Sequence, residues 1–252
     1  MEAPKPGAAS GPFLAALGFL TRVPVAVEKF DLSRAYGAFA VVGVWIGAVA
    51  AIIYGLALQS GVPPLTGAFL AISAAVLMTG GLHEDGLADF ADALGARGGR
   101  DKALEIMRDS RIGSYGVLAL LLITGMRVSA LSGLDLWQGL AGLVSAAALS
   151  RAALPVIAYF MAPARSDGLG AGAGRPTGAA VMVAVLSGLL AAACIANMGV
   201  WIAAVGGGVL GAAMVAILAK RRLGGYTGDV LGAAQQVAEA GALTAMVAAW
   251  TL

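Results

Sequence analysis

Four carboxylates and the chain's only histidine fall within ten residues, in the run Leu82-His83-Glu84-Asp85-Gly86-Leu87-Ala88-Asp89-Phe90-Ala91-Asp92. A helix turns about 100° per residue, so Asp85, Asp89 and Asp92 would project within roughly 60° of one another. Like charges so crowded call for a cation. Carboxylate oxygens suit Mg²⁺, which keeps several waters, takes one or two protein carboxylates and bridges to phosphate. The metal set read from this run is Glu84, Asp85, Asp89 and Asp92, with Asp85 and Asp89 also catalytic candidates. His83, the only imidazole, lies on roughly the opposite side of such a helix. It reads equally as catalytic base, as an orienting group or as a packed polar residue.

Three further polar islands interrupt the hydrocarbon. Arg108-Asp109-Ser110-Arg111-Ile112-Gly113 sets two guanidiniums, a carboxylate and a hydroxyl against a glycine, a composition able to hold an anion and equally able to anchor a juxtamembrane segment. The stretch from Ala164 to Arg175 is rich enough in glycine to act as a lid or a plain linker. Gly225-Tyr226-Thr227-Gly228-Asp229 offers an aromatic ring, a hydroxyl and a carboxylate on a bendable backbone, which points to a binding or catalytic role for Tyr226, Thr227 and Asp229. Arg127 and Arg151 lie inside apolar runs. Arg127 reads as a snorkelling or paired residue, and Arg151, ahead of Pro155, as either a phosphate ligand or a structural pair.

The elements that must position these groups are apolar. The 252 residues are 60% hydrophobic and 12% charged, far from the composition of a soluble domain. Seven runs are each long enough to cross about 30 Å of hydrocarbon as a helix: 36–58, 65–82, 115–134, 137–161, 178–197, 200–219 and 233–252. The expected fold is therefore an all-α polytopic integral membrane protein of one domain, 1–252. Residues 1–12 read as a flexible tail and 83–114 as a polar active-site segment. Lys5, Arg22, Lys29, Arg34, Arg97, Arg100, Lys102, Arg108, Arg111, Arg165, Arg175, Lys220, Arg221 and Arg222 all fall on one side of this arrangement. The opposite loops carry no lysine or arginine, so the N-terminus is expected in the cytoplasm, the C-terminus outside and the polar islands at the cytoplasmic surface. A net charge of +2 gives no argument for nucleic acid. Cys194 has no partner for an intrachain disulfide. The small-residue run 206–211 permits close helix packing, within the chain or in an oligomer.

Four strings in order, Phe19-Leu20-Thr21-Arg22-Val23-Pro24, His83 to Asp92, Met107-Arg108-Asp109-Ser110-Arg111-Ile112-Gly113-Ser114-Tyr115-Gly116 and Gly225 to Ala233, resemble the cobalamin (5′-phosphate) synthase family, the adenosylcobinamide-GDP ribazoletransferases of the bacterial inner membrane. The resemblance implies a Mg²⁺-dependent reaction of adenosylcobinamide-GDP with α-ribazole or its 5′-phosphate. It gives adenosylcobalamin or its 5′-phosphate and releases GMP. It further implies attack by the 5′-hydroxyl of ribazole on the cobinamide-side phosphorus, with Asp85, Asp89, His83 and Asp229 as catalytic candidates. Arg22, Arg108, Ser110, Arg111, Arg151, Tyr226 and Thr227 would then contact phosphates or bases.

Three other readings share parts of this pattern. A CDP-alcohol phosphotransferase would carry an arginine where Phe90 stands, and an aromatic prenyltransferase would show a second aspartate-rich motif. A cation transporter would place its carboxylates inside the spans. No Gly-x-x-x-x-Gly-Lys-Ser/Thr pattern occurs, so a P-loop is unsupported.

Overall fold

The computed structural model describes residues 11–25, 32–168, 172–194 and 196–251. Of the expected tail, residues 1–10 lie outside the described residues, as do Lys29 and residues 169–171 of the glycine-rich loop. All regular elements among the described residues are helices: α1 Pro12–Leu20, α2 Leu32–Ala35, α3 Phe39–Gln59, α4 Pro64–Thr79, α5 Leu82–Gly95, α6 Arg100–Ile106, α7 Ser114–Ser132, α8 Leu136–Phe160, α9 Gly178–Ala193, α10 Met198–Leu223 and α11 Gly228–Trp250. A short 3₁₀ turn, Tyr36–Ala38, joins α2 to α3.

The stretches Leu32–Gln59, Ser114–Ser132, Leu136–Phe160 and Met198–Leu223 are long and apolar enough to cross a membrane. The bent pair Pro64–Thr79 and Leu82–Gly95 would make a fifth if taken as one span. The expected spans 178–197 and 233–252 fall in α9, an apolar helix of 16 residues, and in α11, whose 23 residues include Gln235, Gln236 and Glu239. Leu121 and Leu122 on α7, Leu186 and Leu190 on α9, and Val209 and Leu210 on α10 are exposed large apolar side chains. Outward-facing leucines on long apolar helices mark a membrane-embedded protein, because lipid rather than water can cover them.

At the centre, α8 packs against α3, α9 and α11, while α11 also packs against α10 and α5. Small residues make these approaches possible. Any side chain at Gly43 or Gly47 of α3 would overlap the α8 backbone at Ala147 or Leu143. Gly207 and Gly211 of α10 meet α11 at Gly241 and Val237 in the same way. The run 206–211 is thus used within the chain.

Between α4 and α5 the helix axis turns by 90°. Gly80 and Gly81 take φ of +66° and +73°, the left-handed region that other residues enter only with strain, and they end one helix and start the next. The Arg22 side chain lies across Gly80 where a Cβ would stand. The Arg22 amide donates to the Met78 carbonyl at 2.7 Å, which fixes the chain after α1 against the end of α4.

Candidate active site

The turn at Gly80 and Gly81 frees α5 to present two faces. His83, Leu87 and Phe90 are buried, Asp85 is exposed and Asp89 is half-buried. Glu84 and Asp85 sit in the first turn, where acidic side chains favour the helix macrodipole. Against α5 stands the start of α11. A Cβ at Gly86 would come within 2.8 Å of the Asp229 Cα, so the two backbones touch there. That contact brings Asp229, far away in sequence, beside Asp85 and Asp89. Burial, and after it the charges of Asp85, Asp229 and Asp92, push the Asp89 carboxyl up to about 7, against the pull of Arg165. Burial likewise raises Asp229, opposed by Arg165, whose Nη2 lies 3.3 Å from Asp229 Oδ2, and by the Thr227 hydroxyl, which donates to the same oxygen at 3.2 Å.

Backbone bonds gather the other islands around these carboxylates. The Tyr226 amide donates to the Ala162 carbonyl at 3.0 Å, and the Ala164 amide to the Tyr226 carbonyl at 2.7 Å. Arg100 donates from Nε to the Leu223 carbonyl at 2.8 Å and from Nη2 to the Ala164 carbonyl, clasping both segments. Arg222 caps the end of α5 through the carbonyls of Ala93, Ala96 and Gly98. Arg108 pairs with Asp167 at 2.8 Å, linking the α6–α7 loop to the glycine-rich loop. Arg165 and Asp167 thus tie this loop down from two sides, a role that its composition did not reveal.

Several expected site residues are engaged elsewhere. Asp92 accepts from the amides of Gly113 and Gly116 at 2.7 and 2.9 Å and so caps the start of α7. Glu84 accepts from Gln236 Nε2 at 2.8 Å and lies 3.5 Å from Arg127 Nη1, inside a buried ion network. Arg151 belongs to that network as well. Its Nη1 lies 3.2 Å from Glu239 Oε2 and donates to the Ala147 carbonyl, so of its two expected roles, phosphate ligand or structural pair, the structure shows the pair. Tyr226 is 1% exposed and its hydroxyl bonds to that of Tyr36, which leaves no free ring face for stacking. Thr227 caps α11, accepting from the Val230 amide at 3.2 Å. Arg111 and Ser110 are exposed on the α6–α7 loop, where Arg111 pairs with Asp109 at 2.6 Å. Replacing Asp92 with alanine removes two charge-assisted bonds and should lower stability by about 1.5–3 kcal/mol. Thermal unfolding of the purified variant in detergent checks this.

Two cavities open beside the carboxylates, and Phe19, Leu82 and Asp85 line both. The larger, about 670 Å³, is rimmed by Thr21, Arg22, Glu84 and Ile112. The smaller, about 290 Å³, holds His83, Arg165 and Asp229 among apolar walls. Among the described residues no three His, Cys, Asp or Glu side chains alone enclose an ion. Mg²⁺ would need only one or two carboxylates here, with water and substrate phosphate completing its shell. Asp85, Asp89 and Asp229 are the carboxylates not committed to a cap or to the buried network, and Arg165 is the cation that pairs among them.

No solved structure matches the chain. Curated relatives do. Adenosylcobinamide-GDP ribazoletransferase of Bradyrhizobium diazoefficiens is 41% identical over 229 residues, covering 89% of this chain and 88% of the relative. The proteins of the same name from Azorhizobium caulinodans and Sinorhizobium medicae are 44% and 42% identical, covering 89% and 92% of this chain and 90% and 94% of the relatives. The family described as cobalamin-5-phosphate synthase matches residues 12–247. With both the strings around Asp85 and Asp229 and the helices that bring them together inside that match, the chain belongs to the cobalamin-5-phosphate synthase family.

Proposed function

We propose that the chain transfers the phosphocobinamide part of adenosylcobinamide-GDP to α-ribazole or its 5′-phosphate and releases GMP. The observation that carries this reading, beside the family, is the grouping of Asp85, which lines both of two cavities of unequal size, with Asp229, which lines the smaller, and with Asp89, whose carboxyl feels the charge of both. In the reaction a ribose oxygen bonds to the cobinamide-side phosphorus, the P–O bond to GMP breaks and the hydroxyl proton passes to a carboxylate. The protein's share is alignment and charge, with no protein nucleophile needed. One or two of Asp85, Asp89 and Asp229 would hold Mg²⁺. When bound, the ion supplies neutralisation of the diphosphate and of charge on departing GMP. Arg22, exposed on the rim of the larger cavity, is positioned to meet diphosphate. A carboxylate of this set that the ion does not engage would take the proton.

The attacking hydroxyl needs correction. A family described by a 5-phosphate product retains phosphate at that position, and a nucleoside so blocked cannot attack through it. The nucleophile is therefore a secondary ribose hydroxyl and not the 5′-hydroxyl. Phosphorus NMR of product made from α-ribazole 5′-phosphate tests the point. One phosphodiester and one phosphomonoester are expected, and a diphosphate linkage would overturn the assignment.

We further propose seven crossings in a bacterial inner membrane, N-terminus in the cytoplasm and active site on that face. The bonds that join residues 96–100, 162–167 and 222–226 support one shared end for the basic islands, to which lysine and arginine bias assigns the cytoplasm. Cys194, exposed at the far end of α9, reports on orientation. A membrane-impermeant maleimide added to intact spheroplasts should label it. Labelling only after lysis would reverse the topology.

A further inference from the structure

The smaller cavity combines two features that rarely coexist without a ligand. Its walls are mostly hydrocarbon, with the rings of Phe19, Tyr36 and Phe39 on one part and Leu154 and Leu231 on another. Yet it contains His83, 2% exposed, with neither Nδ1 nor Nε2 bonded among the described residues. Arg165 Nη1, in the same lining, is also buried and without a partner among the described residues. A buried polar group left unsatisfied costs about 1–3 kcal/mol, so such groups normally meet a partner in the working state. A neutral imidazole offers one donor and one acceptor, which suits a hydroxyl or a ring nitrogen.

The size and the neighbours narrow the ligand. At about 290 Å³ the cavity lies near the lower end of small-molecule pockets, too small for a corrinoid. Its one guanidinium, Arg165, is already paired with Asp229, so a diphosphate is poorly served there. A flat heteroaromatic base with an attached sugar fits both the ring-lined walls and the lone hydrogen-bonding groups. Asp85 belongs to both cavities, so a ligand in the smaller one ends beside the carboxylates that face the larger.

We infer that the cavity formed by Phe19, Tyr36, Phe39, Leu154 and Leu231 is the pocket of the acceptor nucleoside, with His83 hydrogen-bonded to the nucleoside and its ribose hydroxyls turned toward Asp85 and Asp229. The larger cleft beside Arg22 is left to the diphosphate substrate. This assignment rests on the ribazole-transfer reading above and adds the position of one substrate and the residues that select it.

The test uses the full chain in lipid nanodiscs and follows GMP release while each substrate is varied in turn. Leu154→Phe and Leu231→Phe fill the cavity and should raise the KM for α-ribazole about tenfold or more, as pocket volume is worth roughly 10–200-fold per methylene. The KM for adenosylcobinamide-GDP should move less than about twofold, since that substrate occupies the other cavity. His83→Asn should raise the ribazole KM about tenfold through loss of one buried bond. Leu154→Ala, which enlarges the cavity, should shift preference toward nucleosides with a bulkier base, and it decides the matter if the filled variants do not fold. Variants that raise the KM for adenosylcobinamide-GDP instead, or that leave both unchanged, would overturn the pocket assignment. Wild-type protein that releases no GMP would overturn the reaction and not the pocket. Equilibrium binding of radiolabelled α-ribazole to wild type and Leu154→Phe then still decides whether the nucleoside sits there: weakened binding to the variant sustains the assignment, and equal binding ends it.

Discussion

Asp85→Asn protein should fold and melt as the wild type does while releasing GMP at least about 10²–10³ times more slowly, the usual range for removing one preorganised electrostatic group from a transfer site. The substitution preserves volume and removes charge. Among the described residues the Asp85 carboxylate makes no hydrogen bond or ion pair, and its side chain is exposed, so no folding contact is lost. Asp85 is nonetheless the carboxylate that lines both cavities, and a reacting centre must touch both substrates. Turnover of Asp85→Asn near the wild-type rate at ordinary Mg²⁺ concentration would remove the acidic face from the chemistry. The contrast with Asp92 is informative, because that carboxylate bonds the Gly113 and Gly116 amides at the start of α7 and its loss should appear in stability first.

Glu239→Ala should show the opposite pattern, a chain that scarcely folds. Glu239 is 4% exposed on α11 and receives Arg127 Nη2 at 2.5 Å, Arg151 Nη1 at 3.2 Å and Gln235 Nε2 at 2.5 Å. Glu84 stands 3.5 Å from Arg127, so two guanidiniums are set against two carboxylates, with Gln236 bridging. Removing one carboxylate leaves a positive charge uncompensated in a buried site, at a cost of about 3–5 kcal/mol. The measurement is the melting temperature and monodisperse yield in detergent. Pairing Glu239→Gln with Arg151→Met restores the balance of charge and should recover most of the loss. A single Glu239→Ala variant as stable as wild type would contradict the network's role.

What the sequence revealed and what it concealed follow from range. The apolar runs and the acidic spacing are local, and helices stand over each run. The side chosen for His83 is also local, and it is buried while Asp85 is exposed. The fate of Asp92 was not legible, because helical angle says nothing of what approaches a side chain. Here Gly113 and Gly116 admit its oxygens to the α7 amides. Asp229 could be marked as unusual, but its meeting with Asp85 depends on the Gly86 contact, a long-range event. Arg165 was missed because a guanidinium in a glycine-rich loop looks like a topology anchor until its partner, Asp229, is known. Tyr226 carried a signal of importance that the fold assigns to a buried bond with Tyr36. Glu239 and Gln236 were visible as polar breaks in an apolar run, and only the packing of α11 against α7 and α8 identifies them as partners of Arg127 and Arg151.

The most direct test of the whole account is GMP release by liposome-reconstituted protein given adenosylcobinamide-GDP, with α-ribazole and Mg²⁺ each present or omitted. GMP that appears only when both are present is the expected result. No GMP from folded protein, or GMP formed equally without ribazole, would contradict the transfer.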